Sequence, residues 1–360
     1  MIYVSIPSGA DASQIIQQAI DNAQQYETIV IPSGFHAIKE TIWLTGNKRL
    51  IGENKESTIL EHQIPTSRPS ADSAEKAMPI VRIGAREKAG EVIEVAYNNE
   101  LANIGFSSAS ASTNNCTAIE IVDCSNLKIR DCNIKSGING ASYFSGTGII
   151  IRGRECISIR DMMIYANKPI EVQKNPNKQN PIDADHFCFN NLYLGAFLNP
   201  VIEIMEDVHL MHMTFDGFQA WVGGTHGFKW VDANENSRPY ASLNLRLDNV
   251  KWEQANLQQN PTFIQIELNK PALQNLVIQN IYGGLNTKGL SFRKVSNISI
   301  NDSQILSGLN NPNIVALDTE ARGSSYSLLM KNVILHGSKV ISQYNNINQV
   351  GMYSGEYIGV

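Results

Sequence analysis

The chain has 360 residues and a formal net charge of -5. That length is enough for one large core or two ordinary ones. With no block of Lys or Arg, neither nucleic acid nor an anionic membrane surface is expected as a partner. No apolar run approaches the roughly 20 residues of a membrane helix. The opening "MIYVSIPSGADAS" also lacks the basic-then-apolar pattern of a signal peptide.

The first expected element is a helix over about 11–26. Ile15, Ile16, Ala19, Ile20 and Ala23 recur at helical spacing, behind Asp11 or Ser13 as the N-cap. Strands follow in "ETIVIPSGFHAIKETIWLTGNKRLIGE" and "STIL", punctuated by Pro-Ser-Gly.

A repeat then takes over. "CSNLKIRDCNIKS" (Cys124–Ser136) returns thirty residues on as "CISIRDMMIYAN" (Cys156–Asn167). Aligned on the turn residue, Asn103, Asp131, Asp161, Asn191, His212, Asn249, Asn280, Asp302 and Asn332 form a column with a mean step of about 29 residues. Alternating apolar pairs precede each turn, such as Leu127 and Ile129, or Leu245 and Leu247. An earlier strand opens each unit, as in "AIEIV", "GIIIR" and "FKWVD". Alternation with period 2 means half-buried strands, and three short strands per repeat mean a solenoid of β-coils. Asn and Asp suit the corner because they tolerate left-handed backbone. His212 is the exception, read as a corner cap. The expectation is an all-β parallel β-helix in a single domain over 1–360, with coils over about 27–355 and a helix capping the open end.

Cys116, Cys124, Cys132, Cys156 and Cys188 are odd in number and include no CxxC pair. They read as reduced thiols, several of them near the core, and no zinc site is expected.

The run "IIQQAIDNA", then "TIVIPSGFHAIKETIWL", then "KRLIGENKESTIL" resembles the start of the pectate-lyase-like right-handed parallel β-helix superfamily. It is similar to the subgroup of phage tailspikes and polysaccharide depolymerases. The resemblance implies a polysaccharide partner, a homotrimer, and an extracellular or virion-associated location. It leaves hydrolase, lyase, transferase or epimerase, and non-catalytic binder all open.

The outward column of the first strand reads Glu120, Ile150, Glu171, Glu203, Lys229, Gln265, Ser291 and Ala316. Neighbouring coils lie about 4.8 Å apart. Glu171 and Glu203 are therefore expected to form a carboxylate pair suited to acid and base or nucleophile roles, and Glu120 with Glu171 a wider one. Long connections at 174–185 and 232–242 flank the short "MEDV", which suggests a groove. Glu206 and Asp207 would form its floor, with His209 following. Asp183, Asp185, His186, Glu235, Arg238 and Tyr240 would form its walls. A second groove is expected at the Gly-rich "FDGFQAWVGGTHGFKW", where Trp221, His226 and Trp230, with Trp252 one coil on, offer faces for sugar rings. The reading is glycoside hydrolysis without a cofactor. The rival within enzymes is a lyase, where resemblance to calcium-dependent pectate lyases implies Ca2+ and Arg238 as base. No arrangement of acids here matches a calcium loop.

Overall fold

The structure is a computed structural model. It describes residues 1–64, 78–84, 86–88, 91–94, 96–108, 116–135, 143–175, 183–197, 199–233, 242–254, 262–269, 273–283, 289–305, 313–317, 326–344 and 346–359. The contacts group these into two compact units, Met1–Asp183 and Ala184–Val360. Both are parallel β-helices, built from strands that stack coil upon coil. Among the described residues no helix is long and apolar enough to cross a membrane.

The first unit opens with helix α1, Ala12–Asn22. Asp11 is its N-cap, accepting from the Ser13 backbone N–H at 3.1 Å. Ile16 and Ile20 are buried under it. Gln17 fixes the helix to the coil below: its Oε1 accepts from the Trp43 N–H at 2.7 Å, and its Nε2 donates to the Trp43 carbonyl at 3.3 Å. The ammonium of the buried Lys48 donates to the Ile20 carbonyl at 2.7 Å, a second donor beside the Ala23 N–H at the helix's C-terminal end.

Three parallel faces follow. One pairs Thr28–Ile31, Arg49–Gly52 and Glu100–Ala102 with 128–130. A second pairs Gly34–Ile38, Thr58–His62 and Gly105–Ser108. The third pairs Ile42–Leu44, Pro79–Gly84, 117–122 and 147–152. The run Thr117–Arg130 crosses from the third face to the first by turning at Asp123, where φ is +44°. The interior of this unit is mainly aliphatic, with Leu50, Ile83, Ile119, Ile121, Ile129, Ile149 and Ile159 at 0% exposure.

The second unit repeats the scheme. One face stacks 187–190, 213–216, 245–248, 276–279 and 298–301. The next stacks 192–196, 218–222, 250–254 and 281–283. The third stacks Ile202–Ile204, 228–230, 264–266 and 290–292. Its interior sets an aromatic cluster among the aliphatic residues. Phe189 stacks on Phe215 at 4.2 Å, Phe215 meets Phe218 and Phe228 edge-on, and Phe218 meets Trp252 at 5.1 Å.

The corner column holds, with one correction. Asn103, Asp131, Asp161, Asn191, Asn249, Asn280, Asp302 and Asn332 all have φ between +48° and +56°. The Asn side chains also bond from coil to coil: Asn280 donates to Asn249 at 3.2 Å and Asn332 to Asp302 at 2.8 Å. His212 is not in this column. The register pairs Asn190 with Asp216 and Leu192 with Phe218, so the corner of that coil is Gly217, at φ +67°. Residues 205–211 lengthen the coil and carry an alternation of their own, which shifted the alignment by one strand.

Candidate functional site

In the first unit Glu171 is buried and held by the Lys168 ammonium at 2.6 Å and by Gln173. The Gln173 N–H donates to the Ile151 carbonyl at 2.7 Å, which lays this strand on 149–152. Glu120 is sealed from solvent between Arg82 at 2.5 Å and Arg152 at 3.1 Å. Arg82 in turn lies 4.7 Å from the centre of the Trp43 ring. Asp183, expected on a groove wall, is at 0% exposure. It accepts from the Asn175 backbone N–H at 2.6 Å, while the Asn175 amide donates to Asp123 at 3.0 Å. These carboxylates satisfy buried donors and hold corners, and Asp183 offers nothing to a ligand.

In the second unit Glu203, Lys229, Gln265 and Ser291 do form one column, and Lys229 bonds Glu203 at 2.9 Å. The column continues to Val315 rather than Ala316. Glu206 is exposed. Asp207 is half-buried in a left-handed turn, and its N–H donates to the Asp232 carboxylate at 3.0 Å. His209 is buried, with its carbonyl accepting from Ala184 at 3.2 Å. It therefore does not line an open groove. Asp185 is bonded by two imidazoles, His186 at 2.7 Å and His212 at 3.1 Å. Glu235, Arg238 and Tyr240 lie outside the described residues.

The stretch "FDGFQAWVGGTHGFKW" is not a loop. It is two strands, His212–Val222 and His226–Asp232, joined at 223–225. Alternation then decides which aromatics reach solvent. Trp230 and Trp252, expected as sugar platforms, point inward at 1% exposure and belong to the aromatic core. Trp221 points outward and is half-buried, with the Phe197 ring 4.9 Å away. His226 is half-buried, bonded to Gln265 at 2.7 Å and to Thr225 at 2.9 Å.

Trp221 has neighbours that the sequence reading missed. The register places Tyr193, Gln219, Lys251, Tyr282 and Gln304 in one outward column. Beside it run Gly195, Trp221 and Glu253. Tyr282 is 44% exposed. Lys251 and Glu253 pair at 2.5 Å, and the hydrogen bond and charge of Glu253 raise the Lys251 ammonium above its ordinary range. The result is an open strip with an indole, two phenol rings, a carboxylate and an ammonium. Strand parity would have revealed it once Phe218 and Ala220 were set inward.

No protein-family model matches the chain, and no curated protein matches it in sequence. Solved structures do match in shape. The Dettilon tailspike protein shares 10% identity at a TM-score of 0.54, over 100% of this chain and 68% of that one. The Streptococcus pneumoniae surface adhesin PfbA shares 10% at 0.52, over 99% and 97%. A DFA-IIIase from Arthrobacter chlorophenolicus A6, solved without its lid, shares 12% at 0.52, over 97% and 91%. A GH87 α-1,3-glucanase from Streptomyces thermodiastaticus shares 11% at 0.52, over 99% and 70%. All are parallel β-helix proteins, and at these identities the likeness is one of fold.

Proposed function

We propose that this chain acts on a polysaccharide, held along the outward face of 192–196, 218–222 and 250–254 in the second unit. The observation that carries the reading is the strip of Tyr193, Trp221 and Tyr282 beside the Lys251–Glu253 pair. Aromatic faces take the apolar C–H surface of sugar rings at small entropic cost, and charged and amide groups between them bond the hydroxyls. The tailspike, glucanase and DFA-IIIase named above support the same reading by analogy of fold. An extracellular or virion-associated setting belongs to this proposal, as does the homotrimer.

The finer reading is cleavage by hydrolysis. It needs one carboxylic acid to protonate the leaving oxygen and a second carboxylate to attack or to activate water. Glu253 stands in the strip with solvent access, and Glu206, Asp207, Asp185, Asp216, Glu267 and Asp302 are further described acids of this unit that reach solvent. Glu203 and Glu171 each have a lysine partner and need it displaced before they can act. That pairing favours a second reading, a non-catalytic glycan binder.

A panel digest tests both readings. The protein is incubated with bacterial capsules, O-antigens, pectins and fructans, with and without chelator. New reducing ends without the ultraviolet absorbance of an unsaturated uronate support the hydrolase. Both signals together, lost with chelator, move the reading to a calcium-assisted lyase with Arg238 as base. Binding without either signal leaves the binder. Neither binding nor cleavage across the panel contradicts the proposal.

A further inference from the structure

We propose that Asp185, His186 and His212 form a binding site for one divalent transition-metal ion of the zinc class. The three side chains come from two consecutive coils of the second unit. Phe187 pairs with Met213, so the residues just before them, His186 and His212, sit one above the other. Their rings stack at 4.7 Å with planes 30° apart. His186 is in the left-handed region at φ +53°, a conformation His adopts more readily than most residues. The Nδ1 atoms of both rings turn to the same atom, Asp185 Oδ1, at 2.7 and 3.1 Å. All three donor atoms lie within 4.8 Å of one another.

A ladder of side chains runs along this column, and it shows what the histidines do differently. Asn275 donates to Asn244 at 2.9 Å, Asn297 to Asn275 at 3.1 Å, and Ser327 to Asn297 at 2.9 Å. His212 is the register partner of Asn244. Where the ladder passes each bond to the next coil, the two imidazoles converge sideways on one carboxylate. Zinc-class bonds of about 2.0–2.2 Å to imidazole and carboxylate, at tetrahedral angles, set neighbouring ligand atoms about 3.3–3.6 Å apart. The two Nδ1–Oδ1 separations, 2.7 and 3.1 Å, are shorter than that, so an ion that replaces the two Nδ1 protons enters as the rings move outward from the carboxylate.

The donor set selects the ion. Two imidazole nitrogens and one carboxylate suit zinc, cobalt, nickel or copper, whereas calcium and magnesium want oxygen alone. The side chains are 20%, 62% and 42% exposed, so water can complete the coordination sphere. Bound there, the ion ties the coil of 184–191 to the coil of 212–217.

The test uses the full chain, free of any affinity tag and dialysed against chelator. Zn2+ is titrated by calorimetry, and melting is followed with and without Zn2+. The expected result is one saturable site per chain, a melting temperature raised by Zn2+, and no such effect from Ca2+. His212→Asn extends the amide ladder and so keeps the fold. It is expected to lose at least tenfold in Zn2+ affinity along with the Zn2+-dependent shift in melting. Asp185→Asn should behave likewise, and Cys188→Ser should bind as the unaltered chain does. Absence of saturable Zn2+ binding overturns the proposal. So does wild-type affinity in His212→Asn, or loss of the site in Cys188→Ser.

Discussion

The two units build the same coil with different chemistry. Met1–Asp183 has an aliphatic interior and draws charge inside: Glu120 between Arg82 and Arg152, Asp183 on Asn175, Lys48 on the helix end. Ala184–Val360 adds an aromatic cluster to its aliphatic interior and, although it buries Glu203, Asp232 and Asp248, also sets charges and rings at the surface: Trp221, Tyr282, Lys251 with Glu253, and Asp185 with two histidines. The lesson is that an acid on an outward strand position is not thereby a surface acid. In the first unit such positions are covered, and a covered carboxylate persists because it is paired.

The largest expected effects come from removing a buried partner. Glu120→Gln strands two nearly buried guanidinium groups and should cost about 3–5 kcal/mol. The same change at Glu253, whose pair stands in solvent, should leave the denaturation midpoint in place. Urea titration of both variants checks this, and equal effects would erase the contrast between the units.

Within the second unit the tryptophans supply the next test. Trp252→Ala removes an interior ring and should cost about 3–5 kcal/mol. Trp221→Ala should cost well under half of that and instead weaken glycan retention at least tenfold. Thermal melting and glycan affinity, measured on both variants, separate a core role from a surface role.

A smaller effect is expected with pH. The His62 Nε2–H donates to the Met78 carbonyl at 2.9 Å, and burial lowers the proton affinity of the ring below the ordinary value. The unfolded ring takes a proton near pH ~6.5, which the folded ring resists. Its contribution to stability is therefore whole above about pH 6.5 and declines as pH falls toward the lower folded value. Stability measured across that window should show the decline, and His62→Gln should flatten it.

The least perturbing probe is thiol labelling of the native chain. Burial pushes the Cys124 and Cys132 thiols up to about 12, and Cys116 is buried as well. Cys156 and Cys188 are exposed. A thiol reagent at neutral pH should modify those two and leave the other three until denaturant is added.

Much of this was legible in the sequence. Period-2 alternation gave the strands, the Asn/Asp column gave the corners, and helical spacing behind Asp11 gave the cap. The misalignment at His212 arose because 205–211 imitates a strand, while the true corner is a glycine that breaks the Asn/Asp column. The buried tryptophans were legible too: with Lys229 read as outward, Trp230 beside it must point inward. The burial of Glu120 and Asp183 was not legible. For Glu120 it depends on arginines brought from neighbouring coils, and for Asp183 on how the chain folds back on the Asn175 N–H, which no local pattern announces.

Glycan binding along the strip is measured by retention of the chain on immobilised capsules, O-antigens, pectins and fructans, run beside Trp221→Ala and Tyr282→Ala. The expected result is retention on at least one glycan and a loss of tenfold or more in each variant, with melting nearly unchanged. Retention that both variants keep in full, or no retention on any of the glycans, would contradict it.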